Sequence, residues 1–134
     1  MKKTIMIIDD DPDDVQLFCE AVAEIDPLYN CLVAYNGEEA LKLLQNINTT
    51  PDFIFLDLNM PRMNGKQCLA QFKKIPLFSI PVIIYTTSKL KKDIEECLRL
   101  GAATFLTKPM KFDALIKGIA CVLAGEWELA KSIH

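Results

Sequence analysis

Histidine is almost absent from this chain, whose single histidine, His134, is the last of 134 residues. Catalytic triads, histidine bases and histidine metal sites all need an imidazole held inside a folded domain. The sequence therefore argues against all three, and we interpret His134 as part of a frayed terminus.

Cysteine is present, but in no pattern that builds a site. The five cysteines are odd in number, widely separated and without a C-x-x-C pair: Cys19, Cys31, Cys68, Cys97 and Cys121. This spacing fits neither a zinc site nor a disulfide framework. We predict that most of them are small core or half-buried residues in a reducing cytoplasm.

The chain also lacks an excess of positive charge and a long apolar run. Fifteen basic and 18 acidic residues give a net charge of −3, which argues against non-specific binding to nucleic acid or to an anionic membrane. The apolar run near the N-terminus stops at Asp9, too early for a signal peptide or a membrane span. We therefore expect a cytoplasmic protein with neither nucleic acid nor membrane as a partner.

What the sequence does have is a regular alternation of strand and helix signals. Apolar or β-branched runs predict strands over residues 4–8, 31–35, 52–56, 82–86 and 104–107, and a helical pattern follows each one. Parallel neighbours need crossover helices, so this order predicts one α/β domain built on a doubly wound, five-stranded parallel sheet.

The helices have recognisable starts, ends and apolar stripes. We expect Asp11 to cap a first helix that begins at Pro12 and ends before Pro27, and Gly101 to end the fourth. The residues predicted to face the core are Val15, Phe18, Val22 and Ile25 in the first helix, Ala40, Leu41, Leu44 and Ile47 in the second, Leu69 and Phe72 in the third, Ile94 and Leu98 in the fourth, and Leu115, Ile116, Ile119 and Leu123 in the fifth.

Polar groups follow several of the predicted strands. Asp9 and Asp10 come after the first, Asp57 after the third, Thr86 and Thr87 at the end of the fourth, and Lys108 after the fifth. Ligands of open α/β sheets bind beyond these carboxyl ends. Asp11 caps the next helix, while Asp13 and Asp14 would favour its positive N-terminus.

Three carboxylates brought within about 4 Å would repel by about 4 kcal/mol per pair at an effective dielectric near 20. Protonation, pairing with Lys108 or an oxygen-preferring divalent cation could each relieve this repulsion. The absence of histidine and of clustered cysteine favours the cation, and Mg²⁺ matches the supply of carboxylates.

The segments IIDDDP, FLDLNMPRMNG, IIYTTS and FLTKP resemble, in order and spacing, the receiver domains of two-component response regulators. The resemblance covers nearly the whole chain and implies a flavodoxin-like (βα)5 sandwich over residues 1–125. The tail over 126–134 is then expected to be too short for an effector domain. DDDPDDVQLF and YTTS are more similar to stand-alone receivers paired with phytochrome-type kinases than to the CheY-like chemotaxis switch protein.

The resemblance implies that Asp57 is a phosphoacceptor supplied by the phosphohistidine of a sensor histidine kinase or a phosphotransfer protein. It makes Asp10 a direct Mg²⁺ ligand, Asp9 a ligand largely through water, and Asn59 a ligand through its backbone carbonyl, with Asp57 completing the set. Lys108 would pair with Asp57 and with the phosphoryl group. The protein would then be a switch and not a turnover enzyme, with only self-catalysed phosphotransfer and dephosphorylation.

The resemblance also implies a switch. Thr86 would hydrogen-bond the phosphoryl group, Phe105 would be an aromatic residue that turns inward when the threonine moves, and the Lys108–Pro109 bond would be cis. Thr87 stands where many receivers have alanine or glycine, which predicts narrower access to the phosphoryl group.

Output would be association, through the face built from the fourth helix, fifth strand and fifth helix, with a downstream protein or a second copy of the chain. The basic run Lys89, Lys91 and Lys92 is either a solvated face or a contact for an acidic partner, and Trp127 and Leu129 either pack or serve a partner.

Two alternatives stay open. A receiver-like scaffold would bind partners without phosphorylation. A Mg²⁺-dependent phosphatase would form an aspartyl-phosphate. Phosphatases of this kind have a second acidic residue two positions after the nucleophile, where this chain has Asn59.

Overall fold

The computed structural model describes residues 3–46, 48, 50–76, 78–87 and 90–131. Five strands alternate with helices along the chain: β1 Thr4–Ile8, α1 Pro12–Ile25, β2 Asn30–Ala34, α2 Gly37–Leu44, β3 Phe53–Leu56, α3 Gly65–Phe72, β4 Val82–Thr86, α4 Lys91–Arg99, β5 Thr104–Thr107, α5 Phe112–Leu123 and α6 Trp127–Lys131. Within these ranges, none of the helices combines the length and the apolar character needed to cross a membrane.

The strands form one sheet in the order β2-β1-β3-β4-β5, and every neighbouring pair is parallel. The predicted doubly wound fold is therefore confirmed. After β1 the chain moves to one side for β2 and then to the other side for β3, so strand order reverses at β1. The register places Ile8 beside both Ala34 and Leu56, which aligns the carboxyl ends of β1 and β3.

The core consists of two apolar clusters, one on each face of the sheet. Met6 and Ile8 belong to the cluster beneath α2, α3 and α4, whereas Ile5 and Ile7 belong to the cluster beneath α1 and α5. Because successive strand residues point to opposite faces, a strand covered on both sides must be apolar throughout. This is why β1, β3 and β4 read as uninterrupted apolar runs.

Two strands, β2 and β3, begin one residue away from their predicted starts. β2 begins at Asn30 and ends at Ala34, one residue earlier than predicted, and β3 begins at Phe53. Asp52 precedes β3, and its carboxylate accepts a hydrogen bond from the Thr4 backbone N–H at 2.8 Å. Ile47, Lys89 and His134 lie outside the described residues.

The prediction for the inward face of α4 was wrong at Leu98. Cys97 is fully buried there, Ile94 is half-buried, and Leu98 is 39% exposed. Positions three and four residues after Ile94 both lie on its side of a helix, so periodicity alone admits either one. The helix is rotated so that the smaller side chain meets the core.

The tail after α5 folds back as the short helix α6. The Trp127 indole N–H donates to the Val122 carbonyl at 3.0 Å, and Ala130 is fully buried. The Lys131 ammonium lies 5.7 Å from the centre of the Phe105 ring. α6 thus packs against α5 and the edge strand β5, while Leu129 is 52% exposed.

Candidate functional site

Three carboxylates converge at the carboxyl edge of the sheet. Asp9 and Asp10 follow β1, Asp57 follows β3, and the two strands are adjacent. Each residue offers an oxygen, and these oxygens all lie within 4.8 Å of one another. Asp9 is 0% exposed and Asp57 5%, whereas Asp10 is exposed. Two largely desolvated carboxylates therefore share one small space.

Backbone hydrogen bonds hold these aspartates in place. The Asp9 N–H donates to the Ala34 carbonyl at 3.1 Å and the Asp57 N–H to the Ile8 carbonyl at 2.9 Å, which extends the sheet ladders by one residue. The Asp11 N–H donates to the Asp9 carboxylate at 3.0 Å, and the Asn59 N–H to the Asp57 carboxylate at 3.4 Å. Both side chains are oriented by the turns that follow their strands.

Lys108 supplies the positive charge at this edge. Its backbone N–H donates to the Thr86 carbonyl at 2.8 Å, which fixes the residue just beyond β5. Its ammonium donates to Asp9 and Asp14, each at 2.8 Å, and lies 3.8 Å from an Asp57 oxygen. Burial alone would lower the pKa of Lys108, but the hydrogen bonds to Asp14 and Asp9 raise it, so the ammonium stays charged.

The surroundings of Asp57 disfavour the charged form of its carboxyl. Burial raises the pKa of its carboxyl to about 6, with a further contribution from the neighbouring charge of Asp9, although Lys108 acts in the opposite sense. The site therefore favours a bound positive charge next to Asp57 or a proton on it.

The structure brings Asp9, Asp10, Asp57 and Lys108 together, as the sequence predicted. Asn59 lies one turn beyond Asp57, exposed to solvent. The two predicted switch residues lie on neighbouring strands. Thr86 is buried at the end of β4, and Phe105 is half-buried within β5 against the α2, α3 and α4 cluster.

The expected cis bond before Pro109 was wrong, because the Lys108–Pro109 bond is trans. Trans is the more stable isomer by about 0.5–1 kcal/mol. With the trans bond, the Lys108 ammonium lies 2.8 Å from an Asp9 oxygen.

Sequence reasoning missed Asp14. We assigned it to the helix N-terminus, but its carboxylate accepts a hydrogen bond from Lys108, 94 residues away. A usable signal was its position in the first turn of a helix that starts at the carboxyl edge of the sheet.

Gly65 is a second residue that the sequence analysis missed. Its lack of a side chain leaves room for the backbone next to Asp57. A Cβ there would lie 2.7 Å from the Asp57 carbonyl oxygen and 2.9 Å from the Leu58 Cα. Only glycine lets the start of α3 approach the end of β3 this closely. The backbone next to Asp57 is therefore held by direct contact with α3.

Within the described residues, the acidic cluster contains carboxylates alone. Hard divalent cations prefer such oxygen donors, and a cation beside Asp57 would offset the burial and the Asp9 charge that raise the pKa of its carboxyl. The residues present fit a divalent ion.

Comparisons with known proteins agree with this geometry. A family model described as response regulator receiver domain matches residues 5–120. The nitrate/nitrite response regulator protein NarL of Escherichia coli is 32% identical over 133 residues, which cover 97% of this chain and 59% of NarL. Protein PilH of Pseudomonas aeruginosa is 34% identical over 122 residues, covering 90% of this chain and 98% of PilH. The chain thus spans somewhat more than half of NarL.

Solved structures are similar over almost the whole fold. The phosphorylated cyanobacterial phytochrome response regulator RcpA superimposes with a TM-score of 0.82 at 27% identity, covering 99% of both chains. The Mn²⁺-bound form of response regulator Rcp1 gives 0.78 at 28% identity, covering 94% of this chain and 95% of that one.

Proposed function

The chain belongs to the response regulator receiver domain family, and from this premise we propose that Asp57 accepts a phosphoryl group from a phosphohistidine. The donor would be a sensor histidine kinase or a phosphotransfer protein, since receiver domains are supplied by such proteins. One observation carries the assignment to Asp57. It is the carboxylate that is both buried and poorly compensated, beside Asp9 and 3.8 Å from Lys108.

Asp57 would act as the nucleophile. A carboxylate oxygen attacks phosphorus in line with the departing imidazole nitrogen, the O–P bond forms and the N–P bond breaks. The product is an acyl phosphate on Asp57, which water can hydrolyse. Gly65 and the Asn59 N–H would keep the attacking carboxylate in a fixed position.

Lys108 would neutralise the charge that arrives with the phosphoryl group. Its ammonium now lies closer to Asp9 and Asp14 than to Asp57. We propose that it moves the short distance to the phosphoryl oxygens when the charge on Asp57 increases. Thr86, at the end of the neighbouring strand β4, would donate its hydroxyl to the same oxygens.

We propose that Asp9, Asp10, Asp57 and the backbone carbonyl of Asn59 hold Mg²⁺. The ion, when bound, would supply positive charge to the phosphoryl oxygens. The response regulator Rcp1, which has a similar fold, has been solved in an Mn²⁺-bound form, and this supports a divalent ion in this chain. The convergence of three carboxylates supports the same placement in this chain.

In the proposed switch, Thr86 would move toward the phosphoryl group and Phe105 would then turn inward. These movements would change how the protein associates with a partner. Phe105 packs against the core, and its ring lies 5.7 Å from the Lys131 ammonium of α6. Movement of this ring would therefore change the surface formed by α4, β5 and α5. That face carries the exposed side chains of Leu90 and Leu98 and the exposed Lys91 and Lys92. We propose that it binds a downstream protein or a second copy of the chain in the cytoplasm.

Phosphorylation by a small donor tests the assignment. The protein is incubated with acetyl phosphate and Mg²⁺, and its intact mass is measured. We expect one added phosphoryl group on the wild type and on Asp13→Asn, which changes an exposed aspartate of the first turn of α1. Asp57→Asn should remain unlabelled, and a labelled Asp57→Asn would disprove the assignment.

The same experiment addresses the alternatives. Steady release of inorganic phosphate from a panel of phosphate esters would favour a phosphatase. Partner binding that does not respond to acetyl phosphate would favour a scaffold.

A further inference from the structure

Two cysteine side chains from different elements meet at the α1 face of the sheet. Cys19 lies in the middle of α1 and Cys31 near the start of the edge strand β2. Their sulfur atoms are 2.6 Å apart, and each residue is half-buried. Cys31 pairs with Ile5 near the start of β1, whereas the acidic site follows the end of that strand. The contact is therefore separate from the phosphorylation site.

The other cysteines are placed differently. Cys68 and Cys97 are fully buried in the cluster on the opposite face of the sheet. Cys121 is half-buried on α5 and packs against the same cluster as Cys19 and Cys31. Cys121 thus resembles the pair in exposure and surroundings and provides a matched comparison.

The two thiols of the pair are not equivalent. A hydrogen bond from the Cys31 thiol lowers the pKa of Cys19, although burial acts in the opposite sense. The same hydrogen bond, together with burial, raises the pKa of Cys31. Thiolates, and not thiols, react with oxidants, so the lowered pKa favours Cys19 as the thiol that reacts first.

We propose that Cys19 and Cys31 are a reversible thiol–disulfide site, which closes to an intramolecular disulfide when the protein is exposed to a peroxide. In the first step the Cys19 thiolate attacks one peroxide oxygen, an S–O bond forms, the O–O bond breaks, and hydroxide leaves.

In the second step the Cys31 sulfur attacks the Cys19 sulfenic acid, and an S–S bond forms while the S–O bond breaks. The Cys31 proton and this departing hydroxide form one water, and the hydroxide of the first step takes up the proton that Cys19 lost on ionisation to form the other. The two sulfurs together lose two electrons, and one peroxide molecule becomes two molecules of water. A dithiol reductant restores both thiols.

The disulfide would tie α1 to the edge strand β2 across a sequence separation of 12 residues. Such a cross-link restricts the unfolded chain, so the oxidised protein should melt higher than the reduced one, by about 5 °C. The first turn of this same helix carries Asp14, a partner of Lys108. Oxidation would therefore fix the helix that borders the phosphorylation site.

Peptide mapping tests the proposal on the wild-type protein. The reduced protein is treated with stoichiometric hydrogen peroxide, denatured, alkylated and digested without reductant. We expect alkylated cysteines to fall from five to three and a single cross-linked peptide to join Cys19 to Cys31. Dithiothreitol should return the count to five.

Variants separate the pair from general oxidation. Cys121→Ser should still lose two free thiols and give the same cross-link, whereas Cys19→Ala and Cys31→Ala should give none. Five alkylated cysteines in oxidised wild type, a cross-link to Cys121, or conversion of Cys19 to sulfinic acid with Cys31 still free would each overturn the proposal. Labelling of Asp57 by acetyl phosphate in the reduced protein is scored separately, so failure of one proposal does not imply failure of the other.

Discussion

At the scale of single residues, Lys108 keeps the acidic edge of the sheet together. Asp9 is fully buried, and its charge is compensated by a hydrogen bond from this one ammonium at 2.8 Å. Removing the ammonium would leave a buried carboxylate without its cation, which is far more costly than breaking a surface pair. Asp14 and Asp57 would lose the same partner.

We expect Lys108→Met to lower the free energy of unfolding by about 3 kcal/mol in metal-free buffer. Mg²⁺ should recover more stability in this variant than in the wild type, because the ion then provides the missing charge. Urea denaturation with and without Mg²⁺ measures both effects.

Lys66→Met is the matched control for Lys108→Met. Lys66 also pairs with two acids, Asp93 at 2.9 Å and Glu96 at 2.8 Å, but its side chain is 29% exposed. Its loss should be smaller and independent of Mg²⁺. Equal losses in the two variants would contradict a special role for Lys108.

At the scale of elements, α1 depends on its cap. The Asp11 carboxylate accepts hydrogen bonds from the backbone N–H groups of Asp13 at 2.9 Å and Asp14 at 3.5 Å. Asp11→Ala should therefore cost about 1 kcal/mol of stability, measured by urea denaturation, while Asp13→Ala should cost only a few tenths. If both variants lose the same amount, the helix start is not held by Asp11.

An element could be predicted from the sequence where the forces that form it act between residues close together in the chain. The strands of the sheet and the cap of α1 were predictable because burial on both faces and an Asp-Pro start leave marks in adjacent residues. The burial of Cys97 instead of Leu98 could not be predicted, because it depends on the rotation of α4 against the sheet. The hydrogen bond from Lys108 to Asp14 joins residues 94 apart in the sequence. Which acid the lysine contacts is therefore determined by the tertiary structure.

At the scale of the whole molecule, Mg²⁺ should act as a stabilising ligand. An ion that binds the folded state and not the unfolded one adds about 2.7 kcal/mol at a hundred times its dissociation constant. For a domain of this size, that corresponds to a rise in melting temperature of roughly 5–10 °C.

A thermal melt across millimolar Mg²⁺ measures this rise, and Asp9→Asn combined with Asp10→Asn should abolish most of it. A wild-type melting temperature that does not change with Mg²⁺ would rule out the proposed ion site.

If the proposed face of α4, β5 and α5 binds an acidic partner, the exposed lysines of α4 should contribute to that binding. Lys91 and Lys92 are exposed in its first turn, so Lys91→Glu with Lys92→Glu should weaken binding of an acidic partner severalfold at low salt. Sedimentation of the phosphorylated protein, alone and with candidate partners, measures the change. Lys42→Glu with Lys74→Glu gives the same net charge away from this face, and an equal loss there would show that charge alone, and not the face, controls association.

The order of the site residues along the chain has a consequence for biosynthesis. The aspartates at 9, 10 and 57 leave the ribosome first, and Lys108 follows only with the last strand of the sheet. A nascent chain that has not yet completed β5 therefore holds the negative charges without the lysine that compensates them. As proposed above, phosphoryl transfer to Asp57 draws on Lys108, so we expect a chain that has not yet reached Lys108 to accept phosphate poorly.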